Sequence, residues 1–323
     1  MPDVFSTTTS GLGSNLVTMA YDKLIEINLR STPQFRAIAD KKIGNPTHDG
    51  SSIRFQFHND ISDTSIAGAT LAETVDPDAV ALPATTTLDV VQTELGRVVL
   101  PTRKLSLMSL ADVDPWIANA VAFNMAMTLD NGVAAVLDAG TNVIREAGSA
   151  LSTTAAKTAI TATDTFKGRD VRYAVTKLRA ENVLTRGGMY VSYIHPEVSH
   201  DLRTETGNNI WRTPHEYQGV GSLYAGELGA WEGVRFIETP RMTNTQSGSG
   251  TGATQTRVYN TYVLGQQALA EAVWKEPGIE FGNVVDKLNR FRPVGWHGII
   301  NWSVFRQAAL YRIETASTVR PNA

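Results

Sequence analysis

The sequence predicts a mixed α+β fold, and three patterns along its 323 residues indicate this class. Residues 53–57 alternate apolar and polar side chains, as a strand with one buried face does. Residues 115–139 form a long, strongly apolar stretch that is typical of a helix. Residues 188–241 run in the order strand, helix, loop and strand, and these two strands need a larger sheet around them.

The composition fits one large domain or two smaller ones, because 42% of the residues are hydrophobic. Only 19% are charged, which is low for a monomer with a fully wetted surface and favours burial between subunits. The net charge of −3 provides no basic surplus for coating nucleic acid. The absence of cysteine excludes disulfides, thiolate metal sites and cysteine nucleophiles. The first basic residue is Lys23 and no apolar segment precedes it, so we expect no signal peptide.

The first 50 residues are expected to form an N-terminal arm and a helix. Residues 1–13 are rich in Ser, Thr and Gly, which indicates a loosely held segment. Ser14 can cap a helix that Pro33 ends, and its apolar stripe is Val17, Ala20, Leu24 and Ile27. The densest basic stretch is Arg30, Arg36, Lys41 and Lys42. We favour a solvated surface for it, with an inward contact to DNA phosphate as the weaker alternative.

Residues 51–104 contain two strand-like runs, 53–57 and 87–100, that are too far apart for an ordinary hairpin turn. The span between them is either a surface loop or the outer part of a long β-hairpin arm. We favour the arm, which needs a docking surface on a neighbouring subunit because an isolated two-stranded ribbon is marginal in water. The apolar residues expected at that contact are Ile66, Leu71, Val75, Val80 and Leu82.

The apolar stretch after the arm predicts a long helix. Asp112 or Asp114 can cap it with Pro115 at the first position, and Gly140 ends it, which gives a length of about 35–40 Å. It is apolar nearly all round, so we expect it to be buried along most of its length. Polar residues inside the stretch, such as Asp130, favour a buried helix over a membrane span. Residues 141–163, rich in Ala, Ser and Thr, are expected to form a connector.

The remaining elements follow in order along the chain. Residues 169–181 predict a helix, and its inward residues are Val171, Ala174, Val175 and Leu178. Residues 189–194 predict a buried strand, which is followed by a short helix beginning at Pro196 and ending near Gly207. Further strands are expected at 234–237 and 257–264 and within 295–313. Residues 244–256 have no charge and predict an exposed, mobile loop.

Three stretches together resemble a known family. Residues 194–203 (IHPEVSHDLR) are followed by residues 224–241 (YAGELGAWEGVRFIETPR) in a specific order of strand, helix, loop and strand. Residues 262–268 (YVLGQQA) and 286–296 (DKLNRFRPVGW) extend the similarity, which spans most of 100–310. The chain resembles the major capsid proteins of tailed bacteriophages, whose Johnson fold is shared by bacterial encapsulin shells.

This resemblance implies a division of the chain into the parts of the tailed-phage major capsid (Johnson) fold. The expected parts are an N-terminal arm and helix at 1–50, an extended β-hairpin arm (E-loop) at 51–104, a P-domain with the spine helix at 105–164, an A-domain at 165–275 and a return to the P-domain at 276–323. No long scaffolding segment precedes the arm, so we expect any scaffold to be a separate protein or to be absent.

The residues do not assemble into a predicted catalytic, cofactor-binding or metal site. The six histidines lack the HExxH motif, and a zinc site drawn from His195, His200 and His215 is disfavoured because residues five apart on a helix face different ways. The glycine pairs at 219–221 and 248–250 do not have the spacing of a phosphate-binding loop. The carboxylate pairs Asp60/Asp63 and Asp76/Asp78 lack the spacing of a calcium loop. We therefore expect a protein that is not an enzyme and has no cofactor.

The function implied by the resemblance is structural. Copies of the chain would form hexamers and pentamers of an icosahedral virion shell, assembled in the host cytoplasm, that encloses packaged double-stranded DNA without sequence-specific binding. The expected partners are other copies, with a decoration protein, a separate scaffold and a portal as further ones, and no membrane. An encapsulin-like compartment remains the alternative, and a metal-dependent hydrolase is disfavoured because no acid, base and nucleophile are connected.

Overall fold

The computed structural model describes residues 30–44, 50–61, 69–71, 73–74, 76, 79–108, 114–205, 227–283, 286, 288 and 290–321. Its α-helices, within these residues, are α1 (Arg103–Met108), α2 (Asp114–Asp138), α3 (Gly168–Ala180) and α4 (Pro196–Thr204). Its strands are β1 (Asp40–Ile43), β2 (Ser52–Phe57), β3 (Thr86–Val91), β4 (Glu94–Val99), β5 (Val143–Ala147), β6 (Ala150–Ser152), β7 (Tyr190–Ile194), β8 (Glu227–Trp231), β9 (Val234–Glu238), β10 (Asn244–Gln246), β11 (Arg257–Leu264), β12 (Leu269–Phe281), β13 (Val294–Val304) and β14 (Leu310–Thr315).

The strands form two sheets and a separate hairpin. One sheet has four strands in the order β1-β12-β13-β4, and the long antiparallel pair β12–β13 is its centre. The other sheet has eight strands in the order β6-β5-β14-β11-β7-β9-β8, with β10 added beside β11. The pair β2–β3 stands apart as a two-stranded antiparallel ribbon. The α+β class predicted from the sequence is confirmed.

Helix α2 joins the two sheets through one apolar core. Its buried residues Leu129, Val133 and Leu137 belong to a cluster with Tyr262 of the eight-stranded sheet and Trp302 of the four-stranded sheet. The end of the helix is fixed by Asp138, whose carboxylate accepts hydrogen bonds from Tyr262 Oη, Asn260 Nδ2 and Thr243 Oγ1. Each sheet is therefore held against the same helix.

Burial of α2 is less complete than the sequence predicts. Only 28% of its most apolar 18-residue window is buried, and the Trp116 side chain is 48% exposed. The helix packs on the sheets along one side, so its apolar residues on the other side lie at the surface of the described chain. By length and composition alone this helix could span a membrane, but a core helix of a soluble protein passes the same test.

Helices α3 and α4 cover the eight-stranded sheet. The four α3 residues predicted to face inward are all buried: Val171, Ala174, Val175 and Leu178. They share a core with the strand residues Tyr190, Val234 and Phe236. The strand predicted at 189–194 is confirmed as β7, and every residue of β7 is buried. Pro196 begins α4 as expected, although the helix ends at Thr204, before the predicted stop at Gly207.

Residues 141–163 are not a plain connector, as the sequence suggested, but contain β5 and β6. The alternating apolar pattern of a strand is absent from β5 because Glu146, a charged residue, is fully buried on its inner face beside Ile144. The turn between the two strands has Gly148 and Ser149 at φ values of 63° and 60°. Their N–H groups donate to the carboxylate of Asp164 at 3.1 and 2.6 Å, which closes the turn.

Two other expectations are corrected. The run 87–100 is not one strand, because it divides into β3, which pairs with β2, and β4, which pairs with β13 in a different sheet. Residues 244–256 are not a simple exposed loop. Their first three residues pair with β11, and Ser249 N donates to Ile160 O at 2.7 Å while Thr256 N donates to Ser249 O at 2.8 Å. Backbone hydrogen bonds therefore order this uncharged segment.

The basic stretch 30–42 is tied to the chain and is not simply solvated. Its side chains make these contacts: Arg36 Nη2 with Glu271 at 2.8 Å and Glu276 at 2.7 Å, Lys41 Nζ with Glu276 at 2.7 Å, Lys42 Nζ with Arg54 O at 2.6 Å, and Arg30 Nη1 with Asn119 at 2.7 Å. These contacts fasten the start of the described chain to β12 and α2. The N-terminal helix expected from Ser14 lies outside the described residues.

The eight-stranded sheet draws its strands from three of the five segments expected from the sequence. β5 and β6 come from 105–164, β7 to β11 from 165–275, and β14 from 276–323. Helix α2 comes from the first of these segments and contacts both sheets. The segments 105–164, 165–275 and 276–323 therefore share one sheet, which α3 covers.

Candidate inter-subunit surfaces

The base of the hairpin arm is anchored on the four-stranded sheet. β2 and β3 pair antiparallel from Ser52 opposite Val91 to Phe57 opposite Thr86. The inward residues Ile53, Phe55 and Val90 are buried against a cluster on β12 composed of Ala270, Ala272 and Trp274. The alternation of residues 53–57 is thereby confirmed, since its apolar side faces the protein.

Aromatic contacts extend this anchor to the far end of the hairpin. The Phe305 ring lies 5.2 Å from that of Phe55 and 4.8 Å from that of Phe57. Arg306 lies over the Phe57 ring, with its guanidinium carbon 4.9 Å from the ring centre. Asn301 Nδ2 donates to Val91 O at 2.8 Å at the opposite end of the ribbon. The hairpin therefore runs outward along β13 and leaves the sheet beyond Phe305.

Beyond its base the arm has exposed apolar side chains. Asn59 Nδ2 donates to Ala84 O at 2.7 Å and so still holds the two sides of the arm together. Further out, Leu71, Val80 and Leu82 are 72%, 70% and 82% exposed. Ile66 and Val75, the other two predicted contact residues, lie outside the described residues. Contact of these five residues with a neighbouring subunit stays a prediction.

A second exposed apolar region lies at the opposite end of β13. We define this sheet-end surface as residues 97–100, 103–108, 281, 288 and 290–292. Its pieces are joined by the pairing of β4 with β13 and by a hydrogen bond of 2.9 Å from Arg103 N to Arg290 O. Its exposed apolar side chains are Val98, Val99, Leu100, Leu105, Leu107, Met108, Phe281 and Leu288. Large apolar patches of this kind mark interaction sites in soluble proteins.

The edge of the sheet is open at this surface. β4 pairs with β13 on one side, and no described strand pairs with its other side. Two glycines bring β4 and β13 together closely here. A Cβ atom on Gly295 would lie 2.5 Å from Arg97 O, and one on Gly96 would lie 2.8 Å from Trp296 O. The open edge and the apolar side chains leave this end of the sheet available to another chain.

This surface was not predicted from the sequence. A signal was present, because residues 97–108 (RVVLPTRKLSLM) combine apolar and basic residues and contain no acid. However, residues 281, 288 and 290–292 join the surface through the pairing of β4 with β13 and the Arg103–Arg290 hydrogen bond, which no local pattern reveals. The arm, in contrast, is continuous in sequence.

His195 has a structural role. Its Nδ1 accepts a hydrogen bond of 3.2 Å from Glu197 N and so caps α4. Burial lowers the pKa of His195, which keeps the ring neutral as the cap requires. His200 is exposed, and His215 lies outside the described residues. In the part of the chain that the structure describes, no group of three or more His, Asp or Glu side chains could hold a metal ion.

The C-terminal segment is fastened to the same helix. Thr318 N donates to Asp201 Oδ2 at 3.0 Å, and Thr318 Oγ1 donates to the other oxygen of that carboxylate. Ser317 Oγ donates to the backbone oxygen of Glu197 at 2.9 Å. The carboxylate of Glu197 accepts a hydrogen bond from Tyr259 Oη. The Asp201 carboxylate and the Glu197 backbone therefore hold residues 317–318 against α4, while the Glu197 side chain ties α4 to β11.

Two carboxyl groups lie together in the core between α3 and β5. Arg169 binds Glu146 with Nε at 2.7 Å and Nη2 at 2.5 Å. Burial raises the pKa of Asp170 to about 9, and hydrogen bonding to Glu146 adds to the rise. Asp170 Oδ2 also accepts a hydrogen bond of 2.9 Å from Lys167 N at the start of the helix. The described contacts of this pair are an arginine and backbone groups, so it fixes α3 to the sheet.

The comparisons with known proteins agree with this architecture. A family model described as "Phage capsid protein" matches residues 107–306. No curated protein matches the chain. Among solved structures, the chain is similar to the cyanophage Pam1 capsid (14% identity, TM-score 0.73, 97% of this chain and 100% of that chain) and the Ralstonia phage GP4 capsid (14%, 0.71, 98% and 100%). It is also similar to the capsid of the native GTA particle (15%, 0.63, 97% and 99%). At these identities the structural likeness shows the fold.

Proposed function

Since the chain belongs to the phage capsid protein family, we propose that it is the major capsid protein of a tailed phage and that many copies assemble into the virion shell. The observation that carries this proposal is the family match over residues 107–306, on a fold that resembles phage capsids over nearly its whole length. The protein acts through its interfaces and performs no catalysis.

The exposed parts of the chain support an assembling subunit. The arm and the sheet-end surface both present large apolar side chains, and α2 is incompletely covered. Burial of apolar surface contributes about 25 cal/mol per Å², so a few hundred Å² would supply several kcal/mol per contact before ordering costs. Repetition of such a contact around each ring of subunits favours a closed shell.

The finer features of the proposal also rest on membership of the phage capsid protein family. The subunits form hexamers and pentamers of an icosahedral shell, assemble in the host cytoplasm and enclose double-stranded DNA without reading its sequence. The net charge of −3 suits a wall that must not hold the genome tightly. A decoration protein, a separate scaffold and a portal are the further partners. The chain divides into an N-terminal arm (1–50), an E-loop (51–104), a P-domain (105–164 and 276–323) and an A-domain (165–275).

Neither alternative function gains support from the structure or the comparisons. The solved structures named above are capsids of phages and of a GTA particle, so they do not favour an encapsulin-like compartment. A metal-dependent hydrolase would need a cluster of ligands, and none occurs among the described residues.

The test is electron microscopy of the purified chain together with sedimentation. We expect icosahedral particles or ring-shaped capsomers. A second chain, in which residues 66–82 are replaced by a short Gly/Ser linker, should give folded subunits with far fewer particles. Monomers of the unmodified chain under all assembly conditions would refute the proposed function, whereas abundant particles from the shortened chain would refute only the role of the arm.

A further inference from the structure

Two segments without acids meet beside the eight-stranded sheet, and a single lysine lies between them. Residues 150–163 have Lys157 as their only charged residue, and residues 243–256 have no charged residue. A hydrogen bond of 2.7 Å from Ser249 N to Ile160 O joins the two segments. We call them together the hydroxyl-rich surface, because most of their exposed polar side chains are threonines: Thr153, Thr154, Thr158, Thr163, Thr245, Thr251 and Thr254.

The ammonium group of Lys157 is half-buried, and its hydrogen-bond partner is neutral. Lys157 begins a short 3-10 turn, and the fully buried Ile160 fixes the end of this turn against the sheet. Lys157 Nζ donates to Thr245 Oγ1 at 3.2 Å, and this oxygen lies 2.8 Å from Ser247 Oγ. Within the described chain Lys157 forms no ion pair. Burial lowers the pKa of Lys157, so its surroundings do not fully compensate the positive charge.

The acids that act on this ammonium group already have other partners. Both oxygens of the buried Glu314 carboxylate contact arginines, Oε2 at 2.6 Å from Arg145 Nε and Oε1 at 3.0 Å from Arg312 Nε. The carboxylate of Asp138 accepts its hydrogen bonds from three neutral side chains. Together with Lys157, the group therefore has three positive charges and two negative ones.

A half-buried lysine without an acidic partner is unusual, because burial removes hydration and buried lysines are normally paired. Arg145 also has a donor to spare. It uses Nε for Glu314 and Nη1 for Ala155 O at 2.9 Å, while its Nη2 makes no hydrogen bond to any described residue. An anion beside Lys157 would accept hydrogen bonds from the ammonium group and from hydroxyls such as that of Thr245, and the two arginines would attract it.

We propose that the hydroxyl-rich surface binds a phosphate-type oxyanion against Lys157. Phosphate oxygens accept from lysine and from threonine and serine hydroxyls, which are the donors that proteins commonly present to nucleic acid backbones. Residues 150–163 and 243–256 contain no acid that would repel the ligand. In the proposed shell the phosphate belongs to packaged DNA, and this part of the inference rests on the proposed function. One cation among neutral hydroxyls would hold each phosphate weakly, as a container for a removable genome requires.

The test measures how fast the Lys157 amine reacts. Soluble full-length subunits are labelled sparsely with acetic anhydride at about pH 8, and acetylation at each lysine is quantified by peptide mass spectrometry. Inorganic phosphate bound at Lys157 covers the amine. Acetylation there should therefore slow about tenfold when phosphate is at about ten times its dissociation constant. Sodium chloride at equal ionic strength is the control for screening, and the exposed Lys177 of α3 is the internal reference.

Variants supply a second measurement. Phosphate that binds the folded subunit raises its melting temperature beyond the effect of sodium chloride. This excess should disappear in Lys157→Met, which keeps the length of the side chain and removes its charge, and should persist in part in Lys157→Arg. Lys177→Met removes the same charge from α3 and should retain the full excess. The labelling experiment uses the parent chain, so it decides the question even where a variant fails to fold.

The outcomes separate the site from the source of its ligand. Equal protection of Lys157 by phosphate and by chloride, or a phosphate effect that survives in Lys157→Met, would overturn the inference. A short DNA duplex then replaces phosphate at the same concentration of phosphate groups. Protection by the duplex supports the DNA backbone as ligand, whereas protection by free phosphate alone would support the site and overturn the DNA source. None of these measurements requires particles, so failure to assemble would refute the proposed shell without affecting the result at Lys157.

Discussion

Arg241 Nε donates a hydrogen bond of 2.8 Å to Asp130 Oδ2, and both side chains are almost completely buried. The other oxygen of Asp130 accepts a hydrogen bond of 2.7 Å from Phe35 N. One carboxylate on α2 therefore holds the segment after β9 and the segment before β1. Asp130 is the only acid between the first and the last residue of α2, and its partner Arg241 lies 111 residues away.

The first prediction is that Asp130→Ala destabilises the subunit strongly. The change leaves Arg241 charged and buried without its partner, which typically costs about 3–5 kcal/mol. The free energy of unfolding, measured with denaturant on soluble subunits, should fall by that amount. Asp89→Ala breaks an exposed pair with Arg54 and serves as the control, for which little change is expected. Equal stability of the Asp130 variant and the control would show that Arg241 finds another partner.

The second prediction concerns Asp170 and pH. Its pKa is raised from 3.8 to about 9, so the folded state binds a proton that the unfolded state has released in this range. The stability contributed by this group is present below about pH 4 and is lost as the pH rises toward about 9. Asp170→Asn copies the protonated form and removes the titration. The difference in unfolding free energy between variant and parent should therefore grow with pH. A constant difference would show that Asp170 does not keep its proton in the folded state.

The third prediction concerns His195, whose pKa is lowered by burial from 6.5. The folded state favours the neutral ring, so stability is lost as the pH falls below about 6.5 and the unfolded chain takes up a proton. Glu197, Arg320 and Arg257 are the charged groups that act on this ring. His195→Asn keeps a side-chain acceptor at the helix start without titrating. Melting temperature measured from pH 7 to pH 5 should decline less in this variant, and parallel curves would refute the prediction.

The fourth prediction compares two glycines of the four-stranded sheet. Gly295→Ala places a methyl group 2.5 Å from Arg97 O, so β4 and β13 must separate, at a cost of about 1–3 kcal/mol. Gly278→Ala has nothing within 4 Å and should change stability little. Thermal unfolding of both variants tests the difference. If the two melt alike, the close approach of β4 and β13 does not constrain position 295.

The sequence predicts well those elements whose pattern is local. The alternation of residues 53–57 and the inward residues of α3 are recovered because one side of each faces an apolar core. β12 was not predicted, since Glu271 interrupts its apolar run. That acid is only 2% exposed and is neutralised by Arg36, 235 residues away. Pairing over such a distance cannot be read from the residues around it.

The two candidate surfaces also differ in whether a local sequence pattern predicts them. The arm was predicted because it is a continuous segment with two strand-like ends. The sheet-end surface required the register of β4 against β13, which brings Val98 beside Gly295, and this register is a tertiary property. The burial of the Phe123 side chain also depends on a distant residue. The ring is half-buried under Arg30, whose guanidinium carbon lies 4.5 Å from the ring centre. Its truncation should accordingly cost less than that of a fully buried ring.

The position of β13 has a mechanical consequence. The base of the arm and the sheet-end surface lie at its two ends, so in the proposed shell a pull on the arm by a neighbouring subunit acts along this strand. Its hydrogen bonds to β12 and β4 are perpendicular to the strand, as in any antiparallel ladder. Tension along β13 therefore loads many of these bonds at once in shear, and does not open them one after another. In the proposed ring, a shell stretched from within would be resisted by the whole sheet of every subunit.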